Sequence, residues 1–465
     1  MATDDHDVVV IGAGAVGENA AGYARQHGLS VAVVERELVG GECSYWACMP
    51  SKALLRPGEV LAEARRVPGA EPAVTGTVDT EATLRSRDAF TSNWDDKHQV
   101  AWLEGTGAEL IRGVGRIAGE RRVEVQLPDG GRRQLQAGAA VVLATGPRPS
   151  MPPVEGLADV GAWDNRDVTA ADHVPERLVV LGGGAVGVEM AQAFRRLGAR
   201  EVTIIELTDR LLPAEEPFVG TELRSALTDD GVDVHTGIGA DEAGRRSDGA
   251  VVLRLADGRE VIGDEVLVAT GRRPITDDVG LETVGLEPGA PLDVDDAMRV
   301  AGVDGGWLYA VGDVNGRALL THQGKYQARI VGDVLGGRDL TAWADHTAVP
   351  RVVFTDPQVA AVGHTAAQGR EAGLDVTTVS HDLAATAAGA LHGKDTAGTG
   401  HLVIDRARRT IVGATFTGPN AAELVHAATI AIVGEVTLDR LWHAVPAFPT
   451  LSEVWLRLLE AERDT

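Results

Sequence analysis

The 465-residue sequence predicts an α/β protein in which one supersecondary unit occurs twice and a smaller module of different class follows. Three observations predict it. Residues 7–36, DVVVIGAGAVGENAAGYARQHGLSVAVVER, are echoed by residues 177–207, RLVVLGGGAVGVEMAQAFRRLGAREVTIIEL. A second echo pairs AAVVLATGPRPS (139–150) with DEVLVATGRRPI (264–275), each a buried strand ending in Ala-Thr-Gly with an X-Pro turn after it. Beyond about Asp345 neither pattern returns, and VVFTDPQVAAVG and HLVIDRARRTIVGATFTG read as antiparallel strands, with helices expected near 420–433 and 451–462.

Each element of the repeated unit has a physical reason. An apolar strand runs into G-x-G-x-x-G, a helical pattern follows, and a second apolar strand ends in a carboxylate, Glu35 or Glu206. These acids fall 23 and 24 positions after the first glycine of their motifs. That is the dinucleotide-binding fingerprint in its required setting, so both units are predicted to be Rossmann-like. Gly12 and Gly182 permit the tight turn, while Gly14 and Gly184 let a pyrophosphate approach the backbone at a helix N-terminus. Gly17 and Gly187 let helix and strand pack closely, and each glutamate can accept from a ribose diol. AGVDGGWLYAVGDVNGRALL (301–320) supplies one more apolar strand, ending in Gly-Asp.

Composition narrows the function. A net charge of −25 argues against nucleic acid or an anionic membrane as partner, since both repel an acidic surface. No apolar run approaches the ~20 residues of a membrane helix, and MATDDHDVVVIG does not read as a secretory leader. A cytoplasmic protein is the expectation. The chain has two cysteines, both within GGECSYWACMPSK (40–52), and in that compartment such a pair is redox-active or metal-binding before it is a staple. Histidines that would complete a zinc site are missing nearby. In a continuous helix, Cα atoms five residues apart lie roughly 8–9 Å from each other, whereas a disulfide requires less than about 7 Å. Cys43 and Cys48 can therefore join only if the helix start is distorted, which Pro50 favours by removing an amide. Lysine supplies only four of the 43 basic residues, which singles out Lys52 beside them.

In order along the chain, IGAGAVG, GGECSYWACMPSK, VVLATG, LGGGAVGVE, VLVATGRRP, LYAVGD, TDPQVAAVG and FPTLSE resemble the class I pyridine nucleotide-disulfide oxidoreductases, the family of dihydrolipoamide dehydrogenase, glutathione reductase and mercuric reductase. The resemblance implies an FAD-binding domain (1–152 and 276–344), an inserted NAD(P)-binding domain (153–275) and a C-terminal α+β dimerisation domain (345–465) that completes the neighbouring subunit's active site in a homodimer. It implies a redox-active Cys43–Cys48 disulfide, with Cys48 against the flavin as a charge-transfer thiolate and Cys43 as the interchange thiol. A helix N-terminus there supports the thiolate. Lys52 corresponds to the lysine at the flavin edge, where a cation stabilises the reduced ring, and Glu189 to its carboxylate partner. Asp313 matches the residue that holds the FAD ribitol; Gly41, Gly115, Thr145 and Gly146 match other FAD-site positions. Glu206 favours NADH over NADPH, because a carboxylate repels the 2′-phosphate; Arg210, Arg272 and Arg273 are placed to soften that preference.

The sequence departs from the family in one segment. The usual His-Pro-Thr-x-x-Glu reads Phe448-Pro449-Thr450-Leu451-Ser452-Glu453, so the acid–base imidazole, worth ~10²–10⁴-fold, is replaced by a ring that carries no proton. Glu453 stands where the resemblance places the family's catalytic glutamate, but without that histidine to orient it reads more readily as the glutamate of a Thr450-x-x-Glu453 capping box. His443, five residues upstream, is the nearest alternative imidazole, although loop histidines are more often structural. Tyr45, Trp46, Phe448, Trp442 and Trp455 suggest an apolar pocket, or else interface packing. The expectation is an enzyme that passes electrons from NADH through FAD to the disulfide and on to a small, hydrophobic disulfide or other electrophilic acceptor. Its rivals are flavin-mediated quinone reduction, a redox-sensing subunit with little turnover, and a carbanion reaction like that of the 2-ketopropyl-coenzyme M oxidoreductase/carboxylases. That branch also places phenylalanine at the acid's position. Mercuric reductases usually carry an extra C-terminal cysteine pair, which this chain lacks.

Overall fold

The computed structural model describes residues 3–464. The chain forms two compact units. Among the described residues, the first comprises 3–50, Asp88–Ser150 and Arg272–Asp345; the second comprises Ser51–Arg87, Met151–Gly271 and 346–464.

In the first unit, the strand Thr3–Ile11 lies parallel between Val31–Glu35 and Arg132–Leu143. Glu109–Arg112 extends the sheet beyond Val31–Glu35, and Leu308–Ala310 pairs parallel with Arg132–Leu143. An antiparallel flap, Arg122–Gln126 and Val114–Ile117, continues from the long strand. The central strand is apolar on both faces because both are covered. Val8 and Val10 pack into a cluster with Ala20, Ala24 and Ala328, whereas Val9 and Ile11 pack into another with Val123, Leu135 and Leu308. That period of two places the glycine turn after Ile11 at the carboxyl end of the sheet, where ligands of open α/β sheets bind.

The second unit repeats the arrangement with four parallel strands in the order Val232–Thr236, Glu201–Glu206, Arg177–Leu181, Glu265–Val268. A three-stranded antiparallel ribbon, Ala240–Arg245, Val251–Leu255 and Glu260–Gly263, accompanies it. The C-terminal part is a five-stranded antiparallel sheet in the order Arg351–Val353, Gln358–Gly363, Thr410–Gly418, Thr399–Asp405, Val376–Asp382. Its two longest helices are Ala421–Val433 and Glu453–Arg463, at the two places where the sequence predicts them. Among the described residues, no helix is long and apolar enough to cross a membrane.

The two Ala-Thr-Gly echoes meet. Pro147–Pro149 pairs antiparallel with Arg272–Pro274, Thr145 Oγ1 donates to Ile275 O at 2.7 Å, and Ile275 N donates to Gly146 O at 2.9 Å. Thr145 and Gly146 thus close a ribbon where the chain leaves the first unit and returns to it.

Candidate active site

The disulfide joins Cys43 to Cys48, and the chain arranges this by breaking the helix outright rather than distorting its start. One short helix, Gly41–Tyr45, ends where Trp46 swings to φ −138°, and a second helix begins at Cys48. The break brings the two Cα atoms to 4.7 Å. Cys48 Sγ lies 3.4 Å from Thr321 Oγ1, the first residue of the helix Thr321–Leu335. Thr321 escapes sequence reasoning because 273 residues separate it from Cys48; a threonine opening a helix just after the Gly-Asp strand is its only signal. Tyr45 is fully buried, its ring 5.7 Å from that of Trp46, so it belongs to the core and cannot line a substrate pocket as its position between the cysteines suggests.

The first unit fits FAD. Gly12 sits at φ +99°, and a Cβ there would meet Ala144 O at 2.5 Å. A Cβ on Gly17 would strike Gly12 O at 1.8 Å, so both positions demand glycine. Glu35 is buried, accepting from Ala13 N at 2.6 Å and Glu37 N at 2.7 Å; burial raises its pKa and these amides oppose the shift. The glycine loop and the cysteine segment lie together: Gly40 N donates to Ala13 O at 2.8 Å, and a Cβ on Gly41 would stand 2.8 Å from Gly14 Cα. Asp313 is largely buried and burial raises its pKa. Arg272 Nη1 reaches its Oδ2 at 2.9 Å as an ion pair, yet that oxygen has no hydrogen-bond donor, leaving a lone pair for a ligand hydroxyl. Gly115 packs beneath this region, its Cβ position 3.1 Å from Val34 Cγ1.

Glu18, just after the glycine loop, is an unforeseen titratable group. Burial pushes its carboxyl up to about 7, the Lys325 charge only partly opposing this, and its Oε2 has no hydrogen-bond partner. The folded chain therefore holds a proton there that the unfolded chain releases near 4.5, and stability falls as pH rises from about 4.5 through about 7. Glu18→Gln is expected to stabilise the protein at pH 8 by on the order of 2 kcal/mol and to change little at pH 5. Denaturant melts at the two pH values check it.

In the second unit, Gly182 has φ +108° and faces Ala269 O, Gly187 abuts Gly182 O, and Gly184 has open space where a pyrophosphate would approach. Glu206 is buried and accepts from Gly183 N at 2.5 Å, Thr208 N at 2.7 Å and Thr208 Oγ1 at 2.8 Å. Arg210 donates to Pro213 O at 2.8 Å and pairs with Asp209. Lys52 and Glu189 meet as the sequence predicts, Nζ to Oε2 at 2.8 Å. Two further contacts were not foreseen: Glu189 Oε1 accepts from Phe354 N at 2.9 Å, and Lys52 Nζ stands 4.8 Å from the centroid of the Phe354 ring.

The C-terminal segment corrects one reading. Glu453 opens the helix Glu453–Arg463 behind Ser452, with no side-chain cap, and Thr450 Oγ1 donates to Ala447 O instead. There is no capping box, because Arg457, one turn on, binds the carboxylate at 2.6 and 3.2 Å. Those hydrogen bonds, with Ala387 N at 3.3 Å, hold Glu453 below the usual carboxylate range. Phe448 is 75% exposed and Val445 86%, and His443 is exposed in the same loop. Trp442 lies under Arg463 at 3.7 Å and the Trp455 ring packs tilted against Phe416 at 5.5 Å, so both tryptophans pack within their own module.

Comparison with known proteins agrees with this geometry. Residues 6–328 match the pyridine nucleotide-disulphide oxidoreductase family and residues 349–458 its dimerisation domain. A mercuric reductase from Streptomyces lividans is 33% identical over 449 residues, covering 94% of this chain and 93% of the relative. A dihydrolipoyl dehydrogenase from Haloferax volcanii is 33% identical over 468 residues, covering 98% and 95%. Among solved structures, LpdA from Mycobacterium tuberculosis superimposes with a TM-score of 0.86 at 25% identity, covering 98% and 99%. The flavoprotein disulfide reductase RclA from Escherichia coli, at 24% identity and a TM-score of 0.86 over 99% of each chain, shares the fold. The chain belongs to the class I pyridine nucleotide-disulfide oxidoreductases and is an enzyme of that family, using FAD and a pyridine nucleotide, with phenylalanine in place of the usual active-site histidine.

Proposed function

We propose that this enzyme uses NADH to reduce a small, hydrophobic disulfide or comparable electrophile through Cys43 and Cys48, acting as a cytoplasmic homodimer. The observation that carries the reading is the disulfide across the helix break, with Thr321 Oγ1 3.4 Å from Cys48 Sγ. Bound FAD supplies the two-electron relay between the nucleotide and this disulfide. Gly12, Gly14, Gly17, Glu35, Gly41, Thr145, Gly146, Asp313 and Arg272 are its proposed holders, and Gly182, Gly184, Gly187 and Glu206 those of the nucleotide. In the reduced protein the Thr321 hydroxyl donates to a Cys48 thiolate at the start of its helix, where the helix dipole favours negative charge. Cys43 attacks the acceptor disulfide, one acceptor thiolate leaves, and Cys48 then closes onto Cys43 and expels the second.

Phe448 gives the departing thiolate no proton. Acceptors whose thiols have low pKa leave faster without one, so an aromatic disulfide suits this site better than an aliphatic one. Glu206 and a tethered Arg210 support NADH over NADPH.

One test is an anaerobic titration of the FAD-loaded protein with a thiol reagent as readout. One equivalent of NADH per chain should expose two thiols, with NADPH doing so more slowly. Oxidation of NADH by an aromatic disulfide or a quinone with no thiols exposed would defeat the reading and favour direct transfer to the acceptor.

A further inference from the structure

Lysine 52 is held from more sides than an ion pair requires. Its Nζ meets Glu189 Oε2 at 2.8 Å and Ser51 Oγ at 3.3 Å, and a third direction is filled by the Phe354 ring at 4.8 Å. Phe354 acts on the carboxylate as well, since its backbone N–H donates to Glu189 Oε1 at 2.9 Å. One residue thus fixes both members of the pair, the cation by its ring and the anion by its amide. Phe354 is itself tied down through Asp356, which burial would push up but which Arg66 and Arg196 hold below the usual carboxylate range. Gln192 exchanges two further bonds with the Asp356 backbone, at 2.7 and 2.9 Å.

We propose that Phe354 is a positioning residue for Lys52, so that the first strand region of the C-terminal module sets the direction of the ammonium group. The positioning stands apart from the redox role that the family resemblance implies for Lys52, and the test separates the two. A cation over an aromatic face is attracted by the ring quadrupole, and the attraction grows where water is partly excluded. Glu189 is almost fully buried and Lys52 about one-third exposed, so the ammonium is the mobile partner. Removing the ring takes away one of the three contacts that orient it.

Phe354→Leu keeps the N–H and the apolar bulk while removing the ring. With only four lysines in the chain, acylation of the FAD-loaded protein at one fixed pH, read by peptide mass spectrometry, resolves each site. Lys52 labelling is expected to rise about three- to tenfold, the factor implied by a lost cation–π contact, while Lys97, Lys325 and Lys394 stay constant. Phe354→Tyr should restore the wild-type rate. Unchanged Lys52 labelling in Phe354→Leu, or a tyrosine variant that behaves like leucine, would overturn the proposal. Should all four lysines rise together, the leucine variant has lost its fold, and Phe354→Met is judged by the same criteria. If Lys52 labelling rises but the rate of reduction by NADH is the same, the positioning stands and the redox role of Lys52 fails.

Discussion

Reduced Cys48→Ser enzyme is expected to become covalently stuck on its acceptor. Cys43 retains the thiol that attacks, but the serine hydroxyl cannot close onto the mixed disulfide, so the protein gains the mass of half an acceptor. Turnover with a disulfide should fall by at least about 10³-fold, because two residues that act as a unit fail together. Cys43→Ser should lose turnover to the same degree without accumulating the adduct, since the remaining sulfur is the one beside Thr321. Intact-protein mass spectrometry after reduction and exposure to an aromatic disulfide distinguishes them. An adduct on Cys43→Ser and none on Cys48→Ser would exchange the assigned roles. Disulfide turnover that survives either change would remove the pair from the reaction altogether.

The second large effect is a gain. Phe448→His restores a proton carrier where the family has one, and positioned acid–base catalysis is worth ~10²–10⁴-fold. The increase should appear with aliphatic dithiols and disulfides, whose leaving thiols need protonation, and barely at all with aromatic ones. The pH–rate profile should acquire an inflection near ~6.5, the ordinary histidine range. Phe448 is 75% exposed within its own chain, so the change disturbs no core of that chain. A flat response would point to His443, exposed in the same loop, and His443→Ala would then abolish what activity exists.

Local spacing made most of the frame readable. The glycine motifs and their acids could be paired because each lies within a stretch of about thirty residues whose chemistry is self-contained. The cysteine spacing announced that the helix must yield, although not that it would end at Tyr45 and begin again at Cys48. Thr321 and Phe354 were invisible for the opposite reason: their partners lie 273 and 165 residues away in sequence, and no local pattern marks either contact. Thr450-x-x-Glu453 shows how a short pattern misleads. The spacing fits a cap, but Arg457 offers the carboxylate a charged partner one turn on, and a charge-assisted pair outcompetes a neutral amide.

The short ribbon of Pro147–Pro149 against Arg272–Pro274 has a topological corollary. Departure and return occur on adjacent strands, roughly 5 Å apart by sheet geometry, so everything between them is, to the outer sheet, one long hairpin loop. Such a stretch can be lengthened, shortened or exchanged for another folded cassette without altering the register of the strands that hold it. Strand register is indifferent to such an exchange, but the Lys52–Glu189 pair is not: Glu189 lies inside the stretch and Lys52 outside it, so any replacement has to supply that carboxylate again.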